Sequence, residues 1–153
     1  LPMAKTLDIA VTPWGVLGGG VLSGKYKSPK DRPAGPRYAK DEQWAEANVT
    51  ERSVRIAEAA AAVAKETGRT PSQVALAWVR QQPFGVMVPI LGAKTLAQLM
   101  DNLGCLDFTL GPEQLSRLDE ASRVELGFPH DFLVQARPYV FGKTFPLIDN
   151  HRR

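Results

Sequence analysis

Two glycine-containing segments gather residue types that can hold a phosphorylated ligand. The first runs Thr12-Pro13-Trp14-Gly15-Val16-Leu17-Gly18-Gly19-Gly20-Val21-Leu22-Ser23-Gly24-Lys25-Tyr26. Its glycines let backbone N–H groups approach phosphate oxygens, and Lys25 adds a positive point charge. The second runs Val88-Pro89-Ile90-Leu91-Gly92-Ala93-Lys94-Thr95-Leu96-Ala97-Gln98-Leu99-Met100-Asp101-Asn102-Leu103. On a helix starting after Thr95, Gln98, Asp101 and Asn102 are three and four residues apart and project from one side. Lys94 stands just before that helix, where the dipole favours an anion. A phosphate and the polar edge of a nucleoside suit this pattern. A structural reading fits the same residues, with Gln98 only capping the helix and Asp101 and Asn102 facing water. Spacing alone leaves both open.

Gly19, Gly24 and Lys25 match most of a P-loop, G-x-x-x-x-G-K-S/T. The last position fails, because Tyr26 replaces the hydroxyl that would hold magnesium. Pro29, Pro33 and Pro36 also break the helix that a P-loop requires. A nucleoside triphosphatase is therefore disfavoured.

Other chemistry is scarce. With one cysteine, Cys105, and two histidines, His130 and His151, there is no internal disulfide and no clustered ligand set, so no metal is expected. A net charge of +3 is too mild to imply nucleic acid. The basic charge is nevertheless concentrated in Lys25, Lys27, Lys30, Arg32, Arg37 and Lys40, interleaved with Pro29, Pro33, Gly35 and Pro36. That stretch reads as a solvated loop that could attract an anion. No apolar run approaches the roughly 20 residues that span a bilayer, and the first residues, Leu-Pro-Met-Ala-Lys, lack the charged-then-apolar layout of a signal peptide. A cytoplasmic setting is expected.

The elements that must position the two segments follow from periodicity. Leu7 to Thr12 and Val86 to Ile90 are short apolar runs bounded by prolines, and they read as buried strands. Thr50 caps a helix with the stripe Val54, Ala57, Ala61 and Ala64, ended by Gly68. Thr70-Pro71-Ser72-Gln73 opens a second helix with a capping box, burying Val74, Ala77 and Trp78, and Pro83 closes it. Thr95 caps a third, with Gln98 at the box position, and Gly111-Pro112-Glu113 opens a fourth that buries Leu115 and Leu118. From about Arg123 to residue 153 an irregular tail is expected. It holds Phe128, Phe132, Tyr139, Phe141 and Phe145, which suggest a tail packed on a body. Strands alternating with helices predict an α/β fold with a parallel sheet. Two strands cannot form a core alone, and Leu1-Pro2-Met3-Ala4 enters without a cap, so the chain reads as the end of a larger barrel.

Taken together, the two glycine segments resemble the aldo/keto reductase superfamily. In that family Thr-Pro-Trp-Ser-Pro-Leu, then Gly-Gly and Gly-Lys-Tyr, follows the seventh strand of a (β/α)8 TIM barrel. Pro-Ile-x-Gly-Ala-Arg/Lys ending in Gln-Leu-x-x-Asn follows the eighth. The likeness extends to Leu110-Gly111-Pro112-Glu113-Gln114-Leu115 and to Gly127-Phe128-Pro129-His130-Asp131-Phe132-Leu133. It implies a partial barrel: the last two strands, their helices and a C-terminal tail.

The resemblance further implies an NAD(P)H-dependent oxidoreductase that reduces the carbonyl group of aldehydes and ketones. Trp14 would pack on the nicotinamide ring, and the backbone of Gly15, Val16, Leu17, Gly18 and Gly19 would lie along the pyrophosphate. Lys25 would hold phosphate from above. Gly92 and Lys94 would bind around the adenosine ribose, with Lys94 a candidate for the 2′-phosphate of NADPH, and Gln98, Asp101 and Asn102 would hold the adenine. Gly15-Val16 departs from the family's Ser-Pro, which removes a hydroxyl contact and a rigid turn. The family's catalytic Asp, Tyr, Lys and His come from the first barrel half, so no residue here takes a catalytic role and the chain alone is expected to be inactive. Tyr26, Tyr38 and Tyr139 lie in loops outside that role and are not expected to be catalysts, and His130 and His151 are expected to serve packing or surface. The alternatives are a non-catalytic NADP(H)-binding or regulatory protein and a gene remnant.

Overall fold

Three threonines set the start of the three central helices. In a computed structural model that describes residues 1–31 and 42–148, α1 spans Pro2–Thr6, α2 Glu42–Asn48, α3 Glu51–Thr67, α4 Pro71–Arg80, α5 Leu96–Leu103, α6 Pro112–Ser122 and α7 His130–Phe141. Arg32, Pro33, Gly35, Pro36, Arg37, Tyr38, Lys40 and His151 lie outside the described residues. Thr50 accepts from the Ser53 N–H while the Ser53 hydroxyl accepts from the Thr50 N–H, and left-handed Gly68 ends α3. Thr70 and Gln73 form the same reciprocal box on α4. An N-cap threonine satisfies a donor that the helix itself cannot, so Thr50→Ala should destabilise the chain by about 1 kcal/mol, read as a shift in urea midpoint.

These helices divide the core between them. Val21, Tyr26, Ala45, Val49, Val54 and Ala57 form one cluster between the glycine loop, α2 and the first half of α3. A second joins Ala60, Val63 and Ala64 of α3 to Val74 and Ala77 of α4 and to Leu110 and Leu118. Ala60 and Val63 carry the inner face that the sequence pattern assigned to Ala61, which is half-buried. Alanines on α3 permit close approach of the helices packed on it. The Cys105 thiol is buried, and burial pushes its pKa up against the opposing pull of Arg80, so the thiol stays protonated at neutral pH.

The two apolar runs do not become buried strands. Val11 and Met87 form one parallel bridge. The Val11 N–H donates to the Val86 carbonyl at 2.8 Å, the Val88 N–H to the Val11 carbonyl at 2.8 Å, and the Ile90 N–H to the Pro13 carbonyl at 3.0 Å. Between the last two of these bonds the ladder lacks a rung, because that rung needs an N–H at residue 13 and proline has none. At the other end the Ile9 N–H is taken by the Ala4 carbonyl at 2.9 Å. Leu7, Ile9, Val86, Val88 and Ile90 are all exposed. Parallel strands are buried by helices on both faces and by neighbouring strands, and among the described residues no further strand pairs with these two. The expected pair of barrel strands is thus two extended segments held by a short ladder.

Residues Leu1–Ser122 form one compact unit and Arg123–Arg153 a second. The tail is not irregular: α7 and a 3-10 turn at Gly142–Leu147 fill much of it. Within this unit the aromatic rings meet one another, Phe128 with Phe132 at 6.0 Å and Phe141 with Phe145 at 5.6 Å between centroids, and Arg137 lies 4.2 Å over Phe145.

Candidate functional site

The glycine loop and the segment entering α5 face each other across a cleft of about 1030 Å³. Trp14, Gly15, Val16, Leu17, Gly19 and Lys25 line one side, and Gly92, Lys94, Gln98, Asp101 and Asn102 the other. The short ladder brings them together, because the residues following Val11 and those following Met87 leave it side by side. Of the residues singled out in the sequence, Gly18 stands apart from the lining. Its N–H closes a turn on the Gly15 carbonyl at 2.7 Å, so it shapes the loop instead.

Backbone conformation places the loop's cation. Gly20 has φ +100°, and a Cβ there would lie 2.9 Å from Lys25 Nζ and 3.0 Å from its Cε. The lysine stem therefore runs directly across the bare glycine, which leaves the ammonium beside the loop backbone. Trp14 is 76% exposed, which leaves its indole open to a flat ligand. Tyr26, by contrast, is packed in the core between the loop and α3.

The opposite wall is more ordered than the sequence suggests. Thr95 caps α5 by accepting from the Gln98 N–H at 3.2 Å, while Gln98 Oε1 accepts from the Lys94 N–H at 2.9 Å. The expected capping box is thus displaced by one residue and fixes the backbone that carries Lys94. Asn102 is buried rather than facing water. Asp101 is half-buried and accepts from the Thr70 hydroxyl at 3.1 Å and from Gln73 Nε2 at 3.3 Å. Lys25 and Lys94 against Asp101 give the described lining a net positive charge, which suits an anionic ligand.

Sequence reasoning missed Thr70, Pro71 and Ser72, which bring the start of α4 to the cleft, along with Gly20, Ser23, Ile90, Leu91 and Ala93. The Thr70-Pro71 cap was visible as a helix signal, but nothing local shows that the cap faces a cavity.

The fold is similar to part of a solved structure. The structure of the glycerol dehydrogenase AKR11B4 from Gluconobacter oxydans superposes with a TM-score of 0.62 at 20% identity, over 84% of this chain and 40% of that one. The model of the Aldo/keto reductase family matches residues 1–123, and the chain belongs to that family, whose members generally use nicotinamide cofactors. "Probable aryl-alcohol dehydrogenase AAD4" of Saccharomyces cerevisiae is 31% identical over 134 residues, which is 87% of this chain and 40% of that protein. "Uncharacterized oxidoreductase YrpG" of Bacillus subtilis is 34% identical over 120 residues, 78% of this chain and 34% of that protein. The chain thus spans about two-fifths or less of these relatives' length. Among the described residues no group of acidic, histidine or cysteine side chains could hold a metal ion, and no helix is long and apolar enough to cross a membrane.

Proposed function

We propose that this chain supplies the cofactor-holding part of an NADPH-dependent aldo/keto reductase that reduces aldehydes or ketones to alcohols. The observation that carries this reading is the convergence of Trp14, Lys25, Lys94, Asp101 and Asn102 on one cleft from segments some 70 residues apart in sequence. A cleft of about 1030 Å³ lies at the upper end of small-molecule sites, as an extended dinucleotide requires. When bound, the reduced nicotinamide supplies hydride to the carbonyl carbon. The residues of this chain bind and orient: the open face of Trp14 sets the ring, Lys25 and the glycine backbone neutralise the pyrophosphate, and Lys94 meets a 2′-phosphate.

Titration of the purified chain with NADPH, followed by tryptophan fluorescence or calorimetry, tests the reading. Saturable binding is expected, and Lys94→Ala should weaken NADPH about tenfold while leaving NADH nearly unchanged, because only the 2′-phosphate loses its partner. Absence of saturable binding in a folded chain would overturn it. A second reading, a nucleotide-binding role without chemistry of its own, is favoured by one feature: the described lining holds no histidine, tyrosine, cysteine or glutamate, and its titratable groups, Lys25, Lys94 and Asp101, are all taken up in holding the nucleotide. Binding without carbonyl reduction by the protein in its natural length would support that second reading.

A further inference from the structure

The capping box at the start of α4 does not end on its own helix. Thr70 Oγ1 accepts from the Gln73 N–H at 3.2 Å, and Gln73 Oε1 accepts from the Thr70 N–H at 3.1 Å. Each side chain then spends its remaining donor on Asp101, 31 and 28 residues away. The Thr70 hydroxyl reaches Asp101 Oδ2 at 3.1 Å, and Gln73 Nε2 reaches both the Asp101 carbonyl at 2.9 Å and Oδ1 at 3.3 Å. Gly104 makes room for this crossing, since a Cβ there would overlap the Gln73 amide. Asp101 lines the cleft, and each of its carboxylate oxygens accepts one hydrogen bond from the start of α4.

From this we infer that Thr70 and Gln73 are positioning residues: they fix the Asp101 carboxylate as a pure acceptor on the cleft wall, which selects a purine bearing an exocyclic amine over one bearing a carbonyl at that position. The inference rests on the proposed nucleotide reading and adds residues that do not themselves touch the base. An ionised carboxylate has no donor and about four lone-pair directions. With two filled from α4, those remaining suit an N–H₂ group and repel a carbonyl oxygen. A free-swinging carboxylate could turn away from the wrong base, whereas one held at both oxygens cannot, so discrimination depends on the clamp.

The test compares binding of NADPH with that of its reduced hypoxanthine analogue, which differs in carrying oxygen for the amine. The unmodified chain should prefer NADPH on the order of tenfold, the size of one charge-assisted hydrogen bond gained against one repulsion. Thr70→Val and Gln73→Leu should reduce that preference to about twofold, and Thr70→Ser, which keeps the hydroxyl, should restore it. Gly104 has φ −58° and ψ −12°, a conformation that alanine adopts freely. Gly104→Ala therefore evicts the Gln73 amide without backbone strain and should also lower the preference. A role confined to capping α4 would weaken both nucleotides equally and leave the ratio unmoved. An unchanged ratio in folded Gly104→Ala and Gln73→Leu chains overturns this inference alone. Absence of NADPH binding by the unmodified chain overturns it together with the reading it rests on.

Discussion

Truncating Leu76 to alanine is expected to lower the unfolding free energy by about 2–5 kcal/mol. Leu76 is the largest of the fully buried side chains, with no accessible surface, and it sits on α4, the helix that contacts α3, α5 and the glycine loop. Neighbours held by those elements cannot all collapse into the space left, so a cavity term adds to the lost transfer energy. Domains hold only about 5–15 kcal/mol in total, so a substantial part of the stability would go. Urea unfolding followed by circular dichroism measures it, and a loss below about 1 kcal/mol would mean that the helices repack freely around α4.

Gly20→Ala is expected to act on binding as well as on stability. At φ +100° an L residue is strained by about 1–3 kcal/mol. The added methyl would also stand where Lys25 Nζ and Cε now lie. The lysine is long and will swing aside cheaply, so the clash costs little, but the ammonium leaves the loop. NADPH affinity should then fall about tenfold. Gly15→Ala is the matched control, because φ +69° imposes strain while nothing lies within 4 Å of the new Cβ. Equal loss of affinity in the two variants would show that loop strain, and not the position of Lys25, governs binding.

What could be read in the sequence was local. Thr50, Thr70 and Thr95 each declared a helix start within four residues, and Gly68 declared an end, because caps are satisfied by near neighbours. Cleft residues on the two glycine segments, Trp14, Lys25 and Lys94 among them, were legible through motif resemblance, whereas Thr70, Pro71 and Ser72 at the start of α4 were not. Burial of the two apolar runs was not legible, since a strand's environment is set by whatever pairs and packs with it, and the missing N–H of Pro13 takes a rung out of the ladder. α7 was missed because Pro138 interrupts an already weak apolar periodicity. The Thr70–Asp101 bond joins residues too far apart for any spacing rule, and Gln98 found the Lys94 N–H where the capping box predicted that of Thr95.

Pro89 gives the short ladder a further property. Val88 and Ile90 direct their N–H groups toward the first segment, so residue 89 between them faces the other edge. Among the described residues no strand pairs with that edge, and an unpaired edge next to exposed Val86, Val88 and Ile90 is the kind of template on which another chain can add as a strand, the first step of ordered aggregation. Proline at that position offers no donor to an incoming strand and keeps the chain from extending pairing in that direction. Its replacement by valine would therefore cost little within the folded chain while raising the rate of self-association at high concentration.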